Sequence, residues 1–351
     1  MTGPRRILLF QTAFPGDVVL LLPLAEALRR TFPRAHIAAV TIPAAAELLA
    51  NHPAVDEIIR YDKRGSQRGI AGANALARTL RQKRFDTALI PHRSIRSAAL
   101  CARAGIPKRI GFSTSAGRLF LTVTVRYDSS MHEIRRNLSL AGPLGISEEG
   151  LPLPSLYPSA SDVAAVDALL KGWRGLRGTG GEWVAVAPGS IWNTKRWPHD
   201  RFAQVVRQLA SRGLAVVLIG GTSDEDLCRQ IAQGTEADDV LNAAGRLTLL
   251  QSAELIRRCT VLVSNDSAPM HLGVAMRVPV VAIFGATVPR FGFAPAGTAD
   301  TVIEREGLSC RPCGIHGGKV CPVGTFECML SIEAGRVTAE VLAVRQRLQK
   351  G

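Results

Sequence analysis

The chain has 351 residues, 46% apolar and 21% charged, which fits two globular α/β-sized domains and excludes a disordered or low-complexity protein. No apolar run reaches the roughly 18–20 residues of a membrane-spanning helix, and seven cysteines in so long a chain do not make a secreted disulfide framework. The net charge of +14 is uneven: residues 1–150 carry 22 Lys/Arg against 11 Asp/Glu, whereas residues 151–351 carry 21 against 18, so the first half faces something anionic.

Residues 6–10 are a short apolar run suited to a strand buried on both faces. Arg5-Arg6 before Ile7-Leu8-Leu9-Phe10 also has the look of a leader peptide. Pro15 and Asp17 interrupt that stretch and no small-residue cleavage site follows, so a first strand and a cytoplasmic protein are expected. Residues 16–32 read as a loop entering a helix, with Leu21, Leu24, Ala25 and Leu28 at helical spacing. A strand at 36–40, a helix at 74–82 and a strand at 87–91 continue an alternation that argues for a parallel sheet with crossover helices. Residues 147–182 are rich in Pro, Gly and Ser and read as the interdomain region, with one helix at 160–170. The second half repeats the alternation. Strands are expected at 183–187, 215–219, 261–264 and 280–284. Helices are expected at 201–212, 224–233, 249–259 and 269–276, the first ended by Gly213. A long amphipathic helix closes the chain at 332–349. The expected architecture is α/β, two doubly wound parallel-sheet domains, with ligands at the carboxyl ends of the strands.

The chemistry-bearing motifs fall at those strand ends. Phe14-Pro15-Gly16-Asp17 follows the first strand. Asp17 reads either as a helix-capping carboxylate or as a general base. Ala187-Pro188-Gly189-Ser190 through Thr194-Lys195-Arg196-Trp197-Pro198 combines hydroxyls, loop amides and an ammonium group, which suits a diphosphate. Gly220-Gly221-Thr222-Ser223-Asp224-Glu225 pairs a close-approach loop with acids able to accept ribose hydroxyls, although Gly-Gly with Asp is also ordinary turn chemistry. Ser264-Asn265-Asp266-Ser267-Ala268-Pro269-Met270-His271 runs from a strand straight into a helix start, where amides favour an anion. Asp266 has the wrong sign for phosphate and is expected to organise the loop or to orient Lys195 or His271. His271 reads as packed or as part of the site. Phe284-Gly285-Ala286-Thr287 closes the set. Cys310-x2-Cys313-x7-Cys321-x6-Cys328 leaves free thiols, a metal site and disulfides open, with thiols favoured because only one CxxC is present. The chain lacks RRM, helix-turn-helix and zinc-finger patterns, and four Trp with three Tyr offer little base stacking, so nucleic acid is not expected.

Together these motifs resemble glycosyltransferase family 9, the ADP-heptose:lipopolysaccharide heptosyltransferases. The resemblance rests on Gly16-Asp17-Val18-Val19, on Pro188-Gly189 with Lys195-Arg196-Trp197-Pro198, on Asp266 to Leu272 followed by Pro279 to Gly285, and on Cys310-Arg311-Pro312-Cys313 through Cys328-Met329. It implies a GT-B fold with two Rossmann-like domains facing a central cleft: an acceptor domain at 1–155, an interdomain region at 156–182, a nucleotide-sugar domain at 183–330, and a final helix at 331–351 packing back on the first domain. It implies an inverting transfer without metal or other cofactor, in which Asp17 is the base. Lys195, the amides of Ser267, Ala268 and Met270 around Pro269, and Ser190, Thr194 and Thr287 would hold the leaving ADP diphosphate. Gly221 and either Asp224 or Glu225 would meet the ribose. The chain departs from the family in having Ser267-Ala268 where Thr-Gly is frequent, and Thr12-Ala13-Phe14-Pro15 in the opening loop.

The charge asymmetry then has an account. Arg60, Lys63, Arg64, Arg68, His92, Arg93 and Arg96 are candidates to grip the Kdo carboxylates and phosphates of a lipid-linked inner-core acceptor. The same charge suits peripheral contact with the inner face of the inner membrane, and a monomer is expected. Two other readings compete. A sugar-nucleotide 2-epimerase of similar architecture would need further carboxylates and a catalytic His in the second domain. A non-catalytic nucleotide- or lipid-binding protein would not need Asp17. A dehydrogenase is excluded by the lack of GxGxxG after the first strand.

Overall fold

The computed structural model describes residues 3–147, 150–173, 182–235 and 239–350. The chain divides into two compact units, Met1–Tyr157 and Pro158–Gly351. The part of the expected interdomain stretch at 174–181 lies outside the described residues.

The first unit runs β1 (Arg6–Phe10), α1 (Pro15–Thr31), β2 (His36–Thr41), α2 (Pro43–Ala46), β3 (Glu57–Arg60), α3 (Gly69–Gln82), β4 (Thr87–Ile90), α4 (Ile95–Arg103), β5 (Lys108–Phe112), β6 (Val123–Val125) and α5 (Glu133–Ser139). Its six strands are parallel in the order β3-β2-β1-β4-β5-β6. Residues Ile7 to Phe10 are at most 1% exposed, because helices cover both faces of the central strand. The register sets Phe10 beside Val40 and Leu9 beside Leu89, so the loops after β1 and β4 leave the same edge.

The second unit contains α6 (Ala160–Lys171), β7 (Trp183–Ala187), α7 (His199–Ala210), β8 (Ala215–Leu218), α8 (Glu225–Ala232), β9 (Val240–Asn242), α9 (Leu249–Arg257), β10 (Val261–Asn265), α10 (Ala268–Ala275), β11 (Val280–Phe284), β12 (Thr301–Glu304), α11 (Glu327–Leu330) and α12 (Ala334–Lys350). Its order, β12-β11-β10-β7-β8-β9, repeats that of the first unit, again all parallel. Phe202, Val205, Val206 and Leu209 form the buried stripe of α7. Gly213 follows it at φ +75°, a left-handed turn that glycine enters without steric cost.

Two boundaries differ from expectation. Helix α6 belongs to the second unit and not to a linker: Arg258, just after α9, reaches Asp167 at 2.5 Å and the Val163 carbonyl. The closing helix was expected to pack on the N-terminal domain. Val337, Val341 and Val344 on α12 are instead fully buried in the core of the C-terminal unit, and the Trp197 indole N–H donates to the Ile332 carbonyl at 3.2 Å.

Candidate active site

In a sheet of this order the strand order reverses beside the first strand, and ligands collect at the carboxyl ends of the strands there. In the second unit that point lies between β7 and β10, which run side by side with Ser264 next to Ala187. Asn265, at the end of β10, ties the two loops together. Its amide N–H donates to the Pro188 carbonyl at 2.7 Å, and its side-chain oxygen accepts from the Trp197 amide at 3.1 Å.

Lys195 and Asp266 meet here at 2.6 Å, with side chains only 12% and 7% exposed. The Thr287 hydroxyl donates to the same Asp266 oxygen at 2.6 Å. Of the two roles expected for Asp266, the structure therefore shows the pairing with Lys195. Three of the sequence motifs converge on this one carboxylate. At the start of α10 the Asp266 amide is used on the Ile283 carbonyl, the Met270 amide is used on Ser267, and Pro269 has no N–H. The other two amides of this turn belong to Ser267 and Ala268. The Ser267 hydroxyl is buried with no hydrogen-bond partner among the described residues. Buried hydroxyls are normally satisfied, so this one marks a place where a polar group is accommodated. Met270 and His271 are buried beneath the turn.

Asp224 brings the Gly-Gly motif to the same loops. A Cβ built on Gly189 would lie 2.6 Å from its carboxylate, so only glycine lets the two strand ends approach this closely. Asp224 also accepts from the Gly221 amide at 3.0 Å. Glu225 lies against Gly245. Ser190 is half-buried, and its carbonyl accepts from Arg196 at 2.6 Å. Thr194 differs from expectation. It is 2% exposed, and its hydroxyl both donates to the Gly318 carbonyl at 3.1 Å and accepts from the Gly318 amide at 2.7 Å. That hydroxyl seats the loop and is already spent twice.

In the first unit, Asp17 is the third residue of α1, and its carboxylate accepts the Phe14 amide at 3.0 Å. A few residues before it, the Thr12 hydroxyl accepts from the Lys63 ammonium at 3.2 Å. Thr12, Tyr61, Lys63, Arg64, Ser94 and Arg96 line a cavity of about 280 Å³. The Tyr61 side chain is 1% exposed, and its hydroxyl has no partner among the described residues. Burial lowers the Lys63 pKa, and the neighbouring Arg64 and Arg96 charges lower it further. A bound anion would relieve that repulsion. Of the seven expected acceptor residues, only Lys63, Arg64 and Arg96 line this cavity. Arg60 and Arg68 are exposed at the end of β3 and the start of α3, and His92 is half-buried after β4. Arg93 sits over the Tyr127 ring at 4.3 Å.

A model of glycosyltransferase family 9 (heptosyltransferase) matches residues 73–319, more than half of the chain. The chain belongs to glycosyltransferase family 9. Among its relatives, lipopolysaccharide heptosyltransferase 2 of Salmonella typhimurium is 28% identical over 300 residues, covering 82% of this chain and 84% of that protein. Lipopolysaccharide heptosyltransferase 3 of Escherichia coli is 27% identical over 286 residues, covering 78% and 80%. The structure of a family 9 glycosyltransferase from Veillonella parvula superposes with a TM-score of 0.87 at 25% identity over 98% of both chains. That of E. coli ADP-heptose lipopolysaccharide heptosyltransferase II gives 0.79 at 26% identity, over 98% of this chain and 99% of that one.

This glycosyltransferase therefore has the GT-B class of fold, two Rossmann-like units with repeated strand order. Its Cys-rich segment lies against the loops that follow β7 and β11. The Cys313 amide donates to the Ala286 carbonyl at 2.9 Å, Arg311 donates to the Thr287 carbonyl at 2.7 Å, and Gly318 holds Thr194. All seven cysteines are free thiols, and no set of three His, Cys, Asp or Glu is placed to hold a metal among the described residues. Burial pushes the Cys328 thiol up to about 11, whereas backbone N–H donors at 323–326 hold Cys321 below the usual thiol value. Residues 126–137 carry a buried charged cluster that the sequence reading passed over. Glu133 and Arg136 form a buried ion pair at 2.9 Å, and Arg136 also hydrogen-bonds the Tyr127 hydroxyl. Their i,i+3 spacing was the one available signal.

Proposed function

We propose that this family 9 transferase moves a heptose from ADP-heptose to an anionic, lipid-linked saccharide of the lipopolysaccharide inner core, inverting the anomeric carbon and using no metal. The observation that carries the reading is the cluster at the start of α10: Lys195 paired with Asp266, which also accepts from the Thr287 hydroxyl, beside the Ser267 hydroxyl that has no partner among the described residues. An ammonium has three N–H donors, and Asp266 takes one. The rest, with the Ser267 and Ala268 amides, suit the diphosphate of a nucleotide sugar. The similar E. coli protein named as an ADP-heptose transferase supports ADP as the nucleotide and heptose as the sugar. Asp224 is the better ribose partner of the two acids, because it sits over Gly189 beside the phosphate loops.

Asp17 takes the acceptor's hydroxyl proton as that oxygen attacks the anomeric carbon. The bond from that carbon to the β-phosphate oxygen breaks, and ADP leaves with the electron pair. Lys195 and the helix-start amides meet the negative charge that develops, in place of a divalent cation. The cavity lined by Lys63, Arg64 and Arg96 holds a phosphate or carboxylate of the acceptor. In the same unit Ile70 and Leu119, each near an arginine in sequence, are 80% and 88% exposed, which suits peripheral attachment to an anionic membrane surface. No helix among the described residues is long and apolar enough to cross a membrane.

Calorimetry with ADP-, UDP- and GDP-sugars tests the donor. ADP-heptose is expected to bind tightest, and a UDP-sugar preference would overturn the heptose reading. Asp17→Ala is expected to lower kcat by about 10²–10⁴ while leaving ADP affinity within twofold. A variant that turned over normally would remove Asp17 as base.

A further inference from the structure

Glu133 opens α5, and Asp17 lies in the first turn of α1. One turn along each helix, the Asn137 side-chain amide donates to the Leu20 carbonyl at 3.1 Å, a fully buried bond. The two helices pack side by side along this line. Their first turns are therefore neighbours, and the Asp17 charge acts on Glu133. Glu133 is 9% exposed and Arg136 2%, and they pair at 2.9 Å. Arg136 is fixed in turn by the Tyr127 hydroxyl, and Arg93 covers the other side of that ring at 4.3 Å. The groups facing Glu133 are thus Asp17 from α1, Arg93 from the loop after β4, and Arg136 from its own helix. The same two helices also carry buried apolar residues, Val18 and Leu21 on α1 and Ile134 and Leu138 on α5.

We propose that Glu133 is a positioning residue for the transfer: a second carboxylate, clamped by Arg136 beside the first turn of α1, whose charge sets the proton affinity of Asp17. The inference rests on Asp17 being the base. An ionised neighbour makes a carboxylate harder to deprotonate and so a stronger base. Burial pushes the Glu133 carboxyl up to about 7, its largest cause, with Arg136 opposing and Asp17 reinforcing. Glu133 therefore gains its charge near neutral pH, and Asp17 becomes more basic as it does.

The test is the pH profile of kcat/KM for the full-length enzyme, Glu133→Gln and Glu133→Asp, with Asp17→Asn beside them. Melting temperature and ADP affinity are measured for each. Gln is neutral at every pH, as Glu133 itself is below about pH 7, so Glu133→Gln is expected to leave the acidic limb in place and to lower the rate several-fold above that pH. The inflection near pH 7 disappears, ADP affinity is unchanged, and Glu133→Asp restores part of the wild-type profile. A Glu133→Gln profile that superimposes on wild type, with Asp17→Asn inactive, overturns the proposal and leaves the base assignment standing. A uniform loss of rate at all pH values that keeps the inflection near pH 7 and is not recovered by Glu133→Asp assigns Glu133 a merely structural role and also overturns it. An active Asp17→Asn removes the base assignment, and the proposal falls with it.

Discussion

Replacing Lys195 by alanine takes one partner from an ion pair of 2.6 Å whose side chains are 12% and 7% exposed. Breaking a buried pair from one side costs about 3–5 kcal/mol, because the remaining charge stays buried. Asp266 keeps the Thr287 hydroxyl at 2.6 Å, so the lower end, about 3 kcal/mol, is expected. In a unit of this size that is a fall in Tm of roughly 6–12 °C. Binding suffers separately. A charge-assisted hydrogen bond to phosphate is worth about 1.5–3 kcal/mol, so ADP affinity should drop about 10- to 150-fold. Pairing Lys195→Ala with Asp266→Asn separates the two effects. The double variant should recover about 1–3 kcal/mol of stability by coupling, as read by urea unfolding. It should not recover ADP affinity in calorimetry. Unchanged ADP affinity in Lys195→Ala would remove the lysine from the donor site. Full recovery of affinity in the double variant would show that Lys195 acts only by restraining Asp266.

Thr194→Val keeps the shape but loses both bonds to the Gly318 peptide, so a loss of about 2 kcal/mol and a modest fall in ADP affinity are expected, with Thr194→Ser close to wild type; a neutral valine variant would refute the seating role. Lys63→Ala should raise the acceptor KM by about tenfold or more and leave the donor KM alone, and steady-state kinetics showing the reverse would move the anion cavity to the wrong substrate. Glu133 keeps its proton up to about pH 7 in the folded protein, whereas an unfolded chain releases it near 4.5. The folded state binds more protons across that window, so this group's contribution to stability falls as pH rises from about 4.5 to 7. Urea midpoints at pH 5 and pH 8 should therefore differ less in Glu133→Gln than in wild type, and an equal difference would place the carboxyl in an ordinary environment.

Strands buried on both faces announced themselves as unbroken apolar runs, and β1, β7 and β11 begin and end where those runs do. The strands that stayed hidden are mostly sheet edges: β3, β6, β9 and β12 each have one neighbour. Solvent along one side admits charges such as Glu57, Arg60 and Glu304, which break the pattern. Helix α3 begins five residues before its expected start because Gly69 and Gly72 disguise its first turn. Helix α5 is capped by His132, whose ring nitrogen accepts the Ile134 amide at 3.2 Å, in place of the Ser, Thr, Asp or Asn that flags a helix start. The chemistry of the site was legible as residue types at strand ends. What could not be read was how those groups use one another. Thr194 and Thr287 look alike as loop hydroxyls, yet one is consumed by Gly318 and the other by Asp266. Lys195 finds its partner 71 residues away, and Glu133 is a lone acid in a basic stretch until α5 sets it beside α1.

The Cys-rich segment grips the loop after β11 through Cys313 and the loop after β7 through Gly318. Five residues of chain span at most about 17 Å, so this stretch works as a gauge that holds the two loops at a set separation. In the proposed donor site that gap is the one a diphosphate would fill. Insertions or deletions between Cys313 and Gly318 would thus retune the spacing of the two loops without changing a single residue of either.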